Sequence, residues 1–142
     1  MKKKLISILS VVLIFAVCIA PTVSAATYAS DYFVSFSSNI QSGGSGKVLV
    51  SIKATGKVGV NEIGAEKIVL EESKDGNTWR KVETFTSDEY PEMMKYGVRS
   101  IGSSVTYNGT SGCYYRATLT FYAGTDGVGE TRTGYAPSAK VS

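Results

Sequence analysis

The sequence predicts a single all-β domain, an antiparallel β-sandwich of about seven strands. Beyond residue 25, apolar side chains recur at every second position in short runs, which is the periodicity of strands with one buried face. Clusters of Gly, Asn, Asp and Ser separate these runs about every 8 to 14 residues, a spacing typical of sandwiches. The chain of 142 residues has room for one ordinary domain.

The N-terminal segment has the three-part pattern of a secretory signal peptide, which we assign to residues 1–25. A basic start, Met1–Lys4, precedes the uncharged and almost wholly apolar Leu5–Ala20. Small residues before Ala26 then offer a signal-peptidase site. We expect cleavage after Ala25, with cleavage after Ala26 as a close alternative, so that residues 26–142 form the exported domain.

An uncleaved transmembrane anchor is the competing interpretation of this segment. Leu5–Ala20 is shorter than the roughly 20 residues that a membrane-spanning helix needs, and Pro21 follows it directly. Cys18 follows Val17 rather than a small residue, so we interpret it as an apolar residue of the leader and not as a lipid attachment site. The expected location is therefore extracellular, either free or associated with the cell surface.

The charge balance argues against several classes of partner. The chain has 15 basic and 12 acidic residues, and removal of the three leader lysines leaves 12 of each. A neutral domain has no overall field that attracts nucleic acid or an anionic membrane, so we expect neither partner after signal cleavage. The absence of His excludes imidazole catalysis and His metal ligands.

Seven segments alternate in the manner of strands, and one intervening segment does not. Ser87–Lys95 is the only stretch expected to form a helical turn. Two segments have a clear apolar face, formed by Val48, Val50, Ile52 and Ala54 in one and by alternate residues from Cys113 to Ala123 in the other. The predicted strands cover Asp31–Ile40, Lys47–Thr55, Ala65–Ser73, Thr78–Thr86, Tyr96–Tyr107, Cys113–Ala123 and Thr131–Val141.

Two faces within these strands lead to specific expectations. In the first strand, Tyr32, Val34 and Phe36 are predicted to share one side. In the sixth, Cys113 belongs to the apolar face, and we expect it to be buried. It is the one Cys left after cleavage, so the domain has no internal disulfide, and an intermolecular disulfide remains an alternative.

Two segments resemble fibronectin type III and related immunoglobulin-like modules. Ile68–Trp79 runs from an apolar strand through Ser-Lys-Asp-Gly to a Trp that opens the return strand, like the middle hairpin of those modules. Gly112–Leu119 resembles their sixth strand, where a Tyr follows a turn. The resemblance implies seven strands in two sheets. The Cys pair of antibody domains is absent.

Two further resemblances concern the hairpin and the whole chain. Ser73–Trp79 resembles the Asp-box of sialidase-type propellers, but it is one residue short and occurs once, so we reject a propeller. The layout of a leader followed by a sandwich is similar to uncharacterised small secreted proteins of Gram-positive bacteria, a similarity that implies no activity.

Four side chains are the candidate ligand-binding residues. Trp79 is the only Trp, and it is either a stacking platform for a sugar or a ring buried against the facing strand. Tyr114, Arg116 and Tyr122 lie on the predicted outer face of one strand, where they suit contact with a carbohydrate or peptide. Ordinary strand propensity of Tyr is the alternative explanation.

No catalytic or metal-binding pattern stands out in the sequence. Glu71 and Glu72 are adjacent, so on a strand they point to opposite faces. Asp126 and Glu130 flank a Gly-rich loop and form a weak calcium candidate, since their spacing matches no known calcium loop. We therefore expect no catalytic residues, no metal and no cofactor.

The favoured function is an exported, non-catalytic binding module with an extracellular glycan or protein as its ligand. The loops Gly43–Gly46, Asp75–Asn77 and Gly124–Gly129 are expected at one end of the sandwich, where they would carry contacts, or else the Tyr114/Tyr122 face would. A secreted bacteriocin-like toxin and a small carboxylate-dependent glycan hydrolase are the alternatives.

Overall fold

The computed structural model describes residues 29–142, and the predicted signal peptide, its cleavage site and Cys18 lie outside the described residues. The described chain forms eight β-strands, with one 3₁₀ turn at Pro91–Met93. The strands are β1 Phe33–Ser42, β2 Lys47–Gly56, β3 Glu62–Ser73, β4 Arg80–Thr86, β5 Met94–Tyr96, β6 Ser100–Asn108, β7 Tyr114–Thr125 and β8 Val128–Lys140.

The strands form two antiparallel sheets. The smaller sheet has the order β1-β2-β6, and the larger has the order β4-β3-β7-β8 with the short β5 also pairing with β3. Strand β7 pairs with both β3 and β8 over most of its length. The all-β class predicted from the sequence is confirmed, and the arrangement is compatible with a β-sandwich.

A single hydrophobic core joins the two sheets, and the two clearest predicted faces both contribute to it. Val48, Val50, Ile52 and Ala54 of β2 are buried, as are all six alternate residues from Cys113 to Ala123. Phe36 of β1 and Phe121 of β7 meet with their ring centroids 5.1 Å apart, so the contact joins the two sheets. In these two segments the period-two pattern therefore located the core correctly.

Strand β1 does not follow its predicted face. Phe33 is buried and Val34 is 65% exposed, whereas the sequence predicted Val34 on the same side as Phe36. The pairing of β1 with β2 shifts register between Phe33 and Ser35. Such a bulge adds one residue and reverses the alternation, so the prediction for this strand was wrong.

The segment that connects β4 to β6 confirms one prediction and corrects another. The helical turn predicted within Ser87–Lys95 is present at Pro91–Met93, and Met93 is fully buried. The predicted strand Tyr96–Tyr107 is divided instead into the end of β5 and the whole of β6. Gly97, with φ of 74°, forms the break, because Gly adopts this left-handed conformation without steric cost.

Cys113 is buried with a free thiol. Its side chain belongs to the same core cluster as Tyr115 and Leu119. The predicted burial is confirmed. The buried thiol therefore packs as part of the hydrophobic core.

We expect the substitution Leu119→Ala to lower the free energy of unfolding by about 2–5 kcal/mol. Leu119 is completely buried in β7, whereas Leu49 is half-buried on the outer side of β2. Leu49→Ala is therefore the matched control, and it should lower the free energy of unfolding clearly less than Leu119→Ala does. Urea denaturation measures both values, and equal losses would contradict the assignment of the core.

Candidate functional site

The tip of the β3–β4 hairpin is held rigid by Asp75. Its Oδ1 accepts hydrogen bonds from the backbone N–H groups of Asn77 at 2.9 Å and Thr78 at 2.8 Å, and from Oγ of Ser73 at 2.8 Å. These donors, led by the Thr78 N–H, hold the pKa of Asp75 well below its ordinary value. Gly76 has φ of 78° and completes the turn. The tip thereby fixes where Trp79 lies.

Trp79 is half-buried beneath Arg116. The guanidinium carbon of Arg116 lies 4.3 Å from the centroid of the Trp79 ring, a cation–π contact. Nε of Arg116 also donates a hydrogen bond of 2.7 Å to Oε2 of Glu71. Trp79 is thus neither a free platform nor a core residue, but part of a surface cluster with an ion pair.

A groove of about 530 Å³ lies beside this cluster on the outer face of the larger sheet. We call it the hairpin groove, and its defining residues are Glu71, Trp79, Arg116, Thr118, Tyr135 and Pro137. Residues of β3, β7 and β8 lie side by side in it, since Glu71 is paired with Arg116 and Thr118 with Tyr135. Its volume is in the range of roughly 300–1,000 Å³ found for small-ligand sites.

A bulge in β8 shapes one wall of the groove. Tyr115 pairs with Ala139 but Ala117 pairs with Ala136, so Pro137 and Ser138 lie outside the regular ladder. Proline lacks the N–H that a ladder needs, and bulges are frequent beside binding sites. The bulge interrupts the ladder next to Arg116, and Pro137 and Ser138 line the groove there.

The structure brings three of the four predicted ligand-binding residues to one end of β7 and places the fourth elsewhere. The Tyr114 ring lies next to Gly76, and Nζ of Lys140 lies 5.6 Å from its centroid. Tyr122 is six residues beyond Arg116, or about 20 Å along the strand. Its hydroxyl donates to Glu62 at 3.2 Å, so Tyr122 does not belong to the hairpin groove.

A buried hydrogen-bond network lies behind the hairpin. The Tyr115 hydroxyl accepts a bond of 2.7 Å from the Thr110 N–H and donates one of 2.5 Å to Oε2 of Glu72. Nη2 of Arg80 donates to the other oxygen of Glu72 at 2.6 Å. Glu72 points inward while Glu71 points outward, which agrees with the expectation that these neighbours face opposite ways.

The network shifts the pKa values of both central groups. The hydrogen bond from Tyr115 lowers the pKa of Glu72, aided by Arg80 and opposed by burial. Burial, followed by the bond to Glu72, raises the pKa of Tyr115 to about 12. Glu72 is therefore ionised and Tyr115 neutral at pH 7.

The three loops expected at one end of the domain lie at two ends. Gly46 donates a backbone hydrogen bond to Ser142, close to the Tyr114 end of β7 where Gly76 also lies. The loop Gly124–Gly129 follows the far end of β7 and contacts Asn61 instead. The prediction that all three loops cluster was wrong, because β7 runs the length of the sheet between them.

The far end carries exposed apolar side chains that the sequence did not single out. Val58, Val98 and Val128 are 90%, 45% and 67% exposed, and each adjoins a Gly of positive φ in its own turn. Asn61 joins the turns: its carbonyl accepts from the Gly97 N–H at 2.7 Å, and its side chain donates to Asp126 at 3.1 Å. We call the surface formed by Val58, Val98 and Val128 the valine end.

The two carboxylates of the weak calcium candidate, Glu130 and Asp126, are engaged with protein groups. Glu130 accepts hydrogen bonds from the Ser30 hydroxyl and from Nε of Arg132, and Asp126 accepts from Asn61. Within residues 29–142, no group of three or more Asp, Glu or Cys side chains is placed to hold a metal ion. The same part of the chain has no helix of the length and hydropathy needed to cross a membrane.

Sequence reasoning missed Tyr135 and Pro137 as groove residues. Tyr135 is 71% exposed and lies opposite Thr118 in the neighbouring strand. A Pro inside a predicted strand marks an edge or a bulge, so Ala136–Pro137 was an available signal for an irregular edge strand. The register that places Tyr135 beside Thr118 was not readable from the sequence.

Comparison of the chain with models of known families, with curated proteins and with solved structures finds no match.

We expect Tyr115→Phe to lower the free energy of unfolding by about 1–3 kcal/mol, because it removes the partner of both Glu72 and the Thr110 N–H in a buried site. Tyr107→Phe is the matched control, since Tyr107 packs against Tyr115 with ring centroids 6.2 Å apart. Its substitution should change stability by less than about 0.5 kcal/mol. Losses of equal size in chemical denaturation would contradict the role of the network.

Stability should also depend on pH through Glu72. Its pKa is lower in the folded than in the unfolded protein, so its contribution is complete above the ordinary Glu pKa of 4.5. That contribution is lost as the pH falls through the folded value. We therefore expect the stability difference between the wild type and Tyr115→Phe to shrink below about pH 4. Denaturation curves from pH 7 to pH 3 test this, and a constant difference would refute it.

Proposed function

We propose that this protein is an exported β-sandwich of the fibronectin III/immunoglobulin-like type that acts outside the cell by binding a ligand in the hairpin groove. The observation that carries the proposal is the groove itself, where Trp79, Arg116 and Tyr135 line one space on the outer face of the larger sheet. Aromatic residues and Arg are enriched in binding surfaces. Export rests on the leader pattern of residues 1–25.

Two features support the immunoglobulin-like class. Setting aside the three-residue β5, seven strands are divided into orders β1-β2-β6 and β4-β3-β7-β8. The Tyr115 hydroxyl, near the start of β7, bonds to the backbone five residues upstream at Thr110, as in the tyrosine corner of these domains. Because β4 pairs with β3 rather than with the first sheet, the order differs from that of antibody constant domains.

The groove is better suited to binding than to catalysis. Glu71 is paired with Arg116, and Glu72 faces the other side of the sheet where Tyr115 and Arg80 satisfy both its oxygens. A glycan hydrolase needs two carboxyl groups about 5–9 Å apart on either side of one bond, and these two do not face a common space. The neutral charge of residues 26–142 also does not favour a toxin that attacks membranes.

The proposal predicts that the exported protein binds saturably to a cell or cell-wall surface. Labelled protein purified from the medium is incubated with bacterial cells, animal cells and isolated cell walls, and binding is measured by flow cytometry. Arg116→Ala should weaken binding by about tenfold or more, because it removes a central Arg and uncovers Trp79.

Arg99→Ala is the matched control, since Arg99 is exposed next to the valine end and should leave binding unchanged. Absence of saturable binding to every surface would overturn the proposal. A loss with Arg99→Ala but not with Arg116→Ala would move the site to the valine end and refute the groove assignment. Growth inhibition of the bacterial cells at the binding concentrations would favour the toxin instead.

A further inference from the structure

The ion pair in the hairpin groove offers a donor and an acceptor side by side. Only Nε of Arg116 and Oε2 of Glu71 are used in their hydrogen bond of 2.7 Å. Oε1 of Glu71 and the two terminal nitrogens of Arg116 therefore have no hydrogen-bond partner among residues 29–142. The side chains remain 27% and 43% exposed, so a ligand can reach these atoms.

The opposite charges of this pair favour a neutral ligand over one with a single net charge. A carboxylate or phosphate ligand would be attracted by Arg116 but repelled by the negative charge of Glu71. An ammonium ligand would be attracted by Glu71 but repelled by Arg116. A hydroxyl group donates one hydrogen bond and accepts others. Neighbouring hydroxyls can therefore donate to Oε1 of Glu71 and accept from the terminal nitrogens of Arg116 at the same time.

The remaining groove residues suit the apolar side of such a ligand. Tyr135 is 71% exposed, and its ring and the open part of Trp79 border the groove. Aromatic rings offer large apolar faces with little loss of conformational entropy. Pyranose rings combine clustered hydroxyls with an apolar face of C–H groups, which matches both parts of the groove.

A protein partner fits these observations less well. Protein interfaces centre on desolvated pockets that receive an anchoring side chain, whereas the floor of this groove is a partly exposed ion pair on an open sheet face. The valine end, by contrast, exposes three apolar side chains, Val58, Val98 and Val128. The ion-pair floor, beside the exposed Tyr135 and the half-buried Trp79, therefore favours a sugar.

We propose that the hairpin groove binds a neutral oligosaccharide, with Glu71 and Arg116 bonding its hydroxyls and Tyr135 stacking on a ring. This inference rests on the proposed function and assigns the ligand class of the same site. Thr118, opposite Tyr135 in the neighbouring strand, supplies a further hydroxyl to the same face.

The test is a binding titration of the exported protein with a panel of neutral oligosaccharides, together with uronic-acid and sulfated oligosaccharides. The neutral probes are tetramers of N-acetylglucosamine, glucose, mannose and xylose. At least one neutral tetramer should bind, and Tyr135→Ala and Glu71→Gln should each weaken its affinity by about tenfold or more.

Tyr96→Ala is the matched control, because Tyr96 is also a tyrosine with 71% exposure and lies at the far end of the larger sheet. This substitution should change the affinity less than twofold.

The outcomes separate this inference from the proposed function. Surface binding that needs Arg116, without affinity for any neutral sugar, would overturn the glycan assignment and leave the binding module standing. Preference for acidic sugars, or binding insensitive to Tyr135→Ala and Glu71→Gln, would also overturn it. If the protein bound neither a cell surface nor a sugar, the binding-module proposal and the glycan assignment would both be overturned.

Discussion

Strand β7 is the element on which both the core and the groove depend. It pairs with β3 on one side and β8 on the other, and its side chains alternate strictly between buried and half-exposed from Cys113 to Tyr122. The buried set packs against the smaller sheet, for example through Phe121 and Phe36. Two residues of the opposite set, Arg116 and Thr118, lie in the floor of the groove. The period-two alternation of β7 thus determines which of its residues enter the core and which face the groove side of the sheet.

The hairpin between β3 and β4 converts this regular face into a site. Asp75 fixes the turn through three hydrogen bonds, and the turn delivers Trp79 to the position where Arg116 covers its ring. Behind the same hairpin, Glu72 and Tyr115 anchor β3 to β7 through a buried hydrogen bond. Because both sides of the hairpin are held, the groove is organised before a ligand arrives, which reduces the entropic cost of binding.

Much of this architecture is predictable from sequence because burial imposes a period of two. The faces of β2 and β7, the burial of Cys113 and the turn at Asp75–Asn77 all follow from alternation and turn chemistry. The face of β1 does not, because the bulge after Phe33 leaves no mark in a run of Ser and apolar residues. The composition of the groove is likewise hidden, since Tyr135 and Arg116 line one groove only through the register of β8 against β7.

The alternation of β7 can be tested directly by thiol labelling of the folded protein, with single cysteines introduced at Thr118→Cys or Leu119→Cys while the natural Cys113 remains. A cysteine at an outward position should be labelled about as fast as a free thiol in solution. A cysteine at an inward position should be labelled only when the domain unfolds. We therefore expect rapid labelling of Thr118→Cys and slow labelling of both Leu119→Cys and Cys113. Equal rates at positions 118 and 119, or faster labelling at 119, would contradict the division of this strand into a core side and a ligand side.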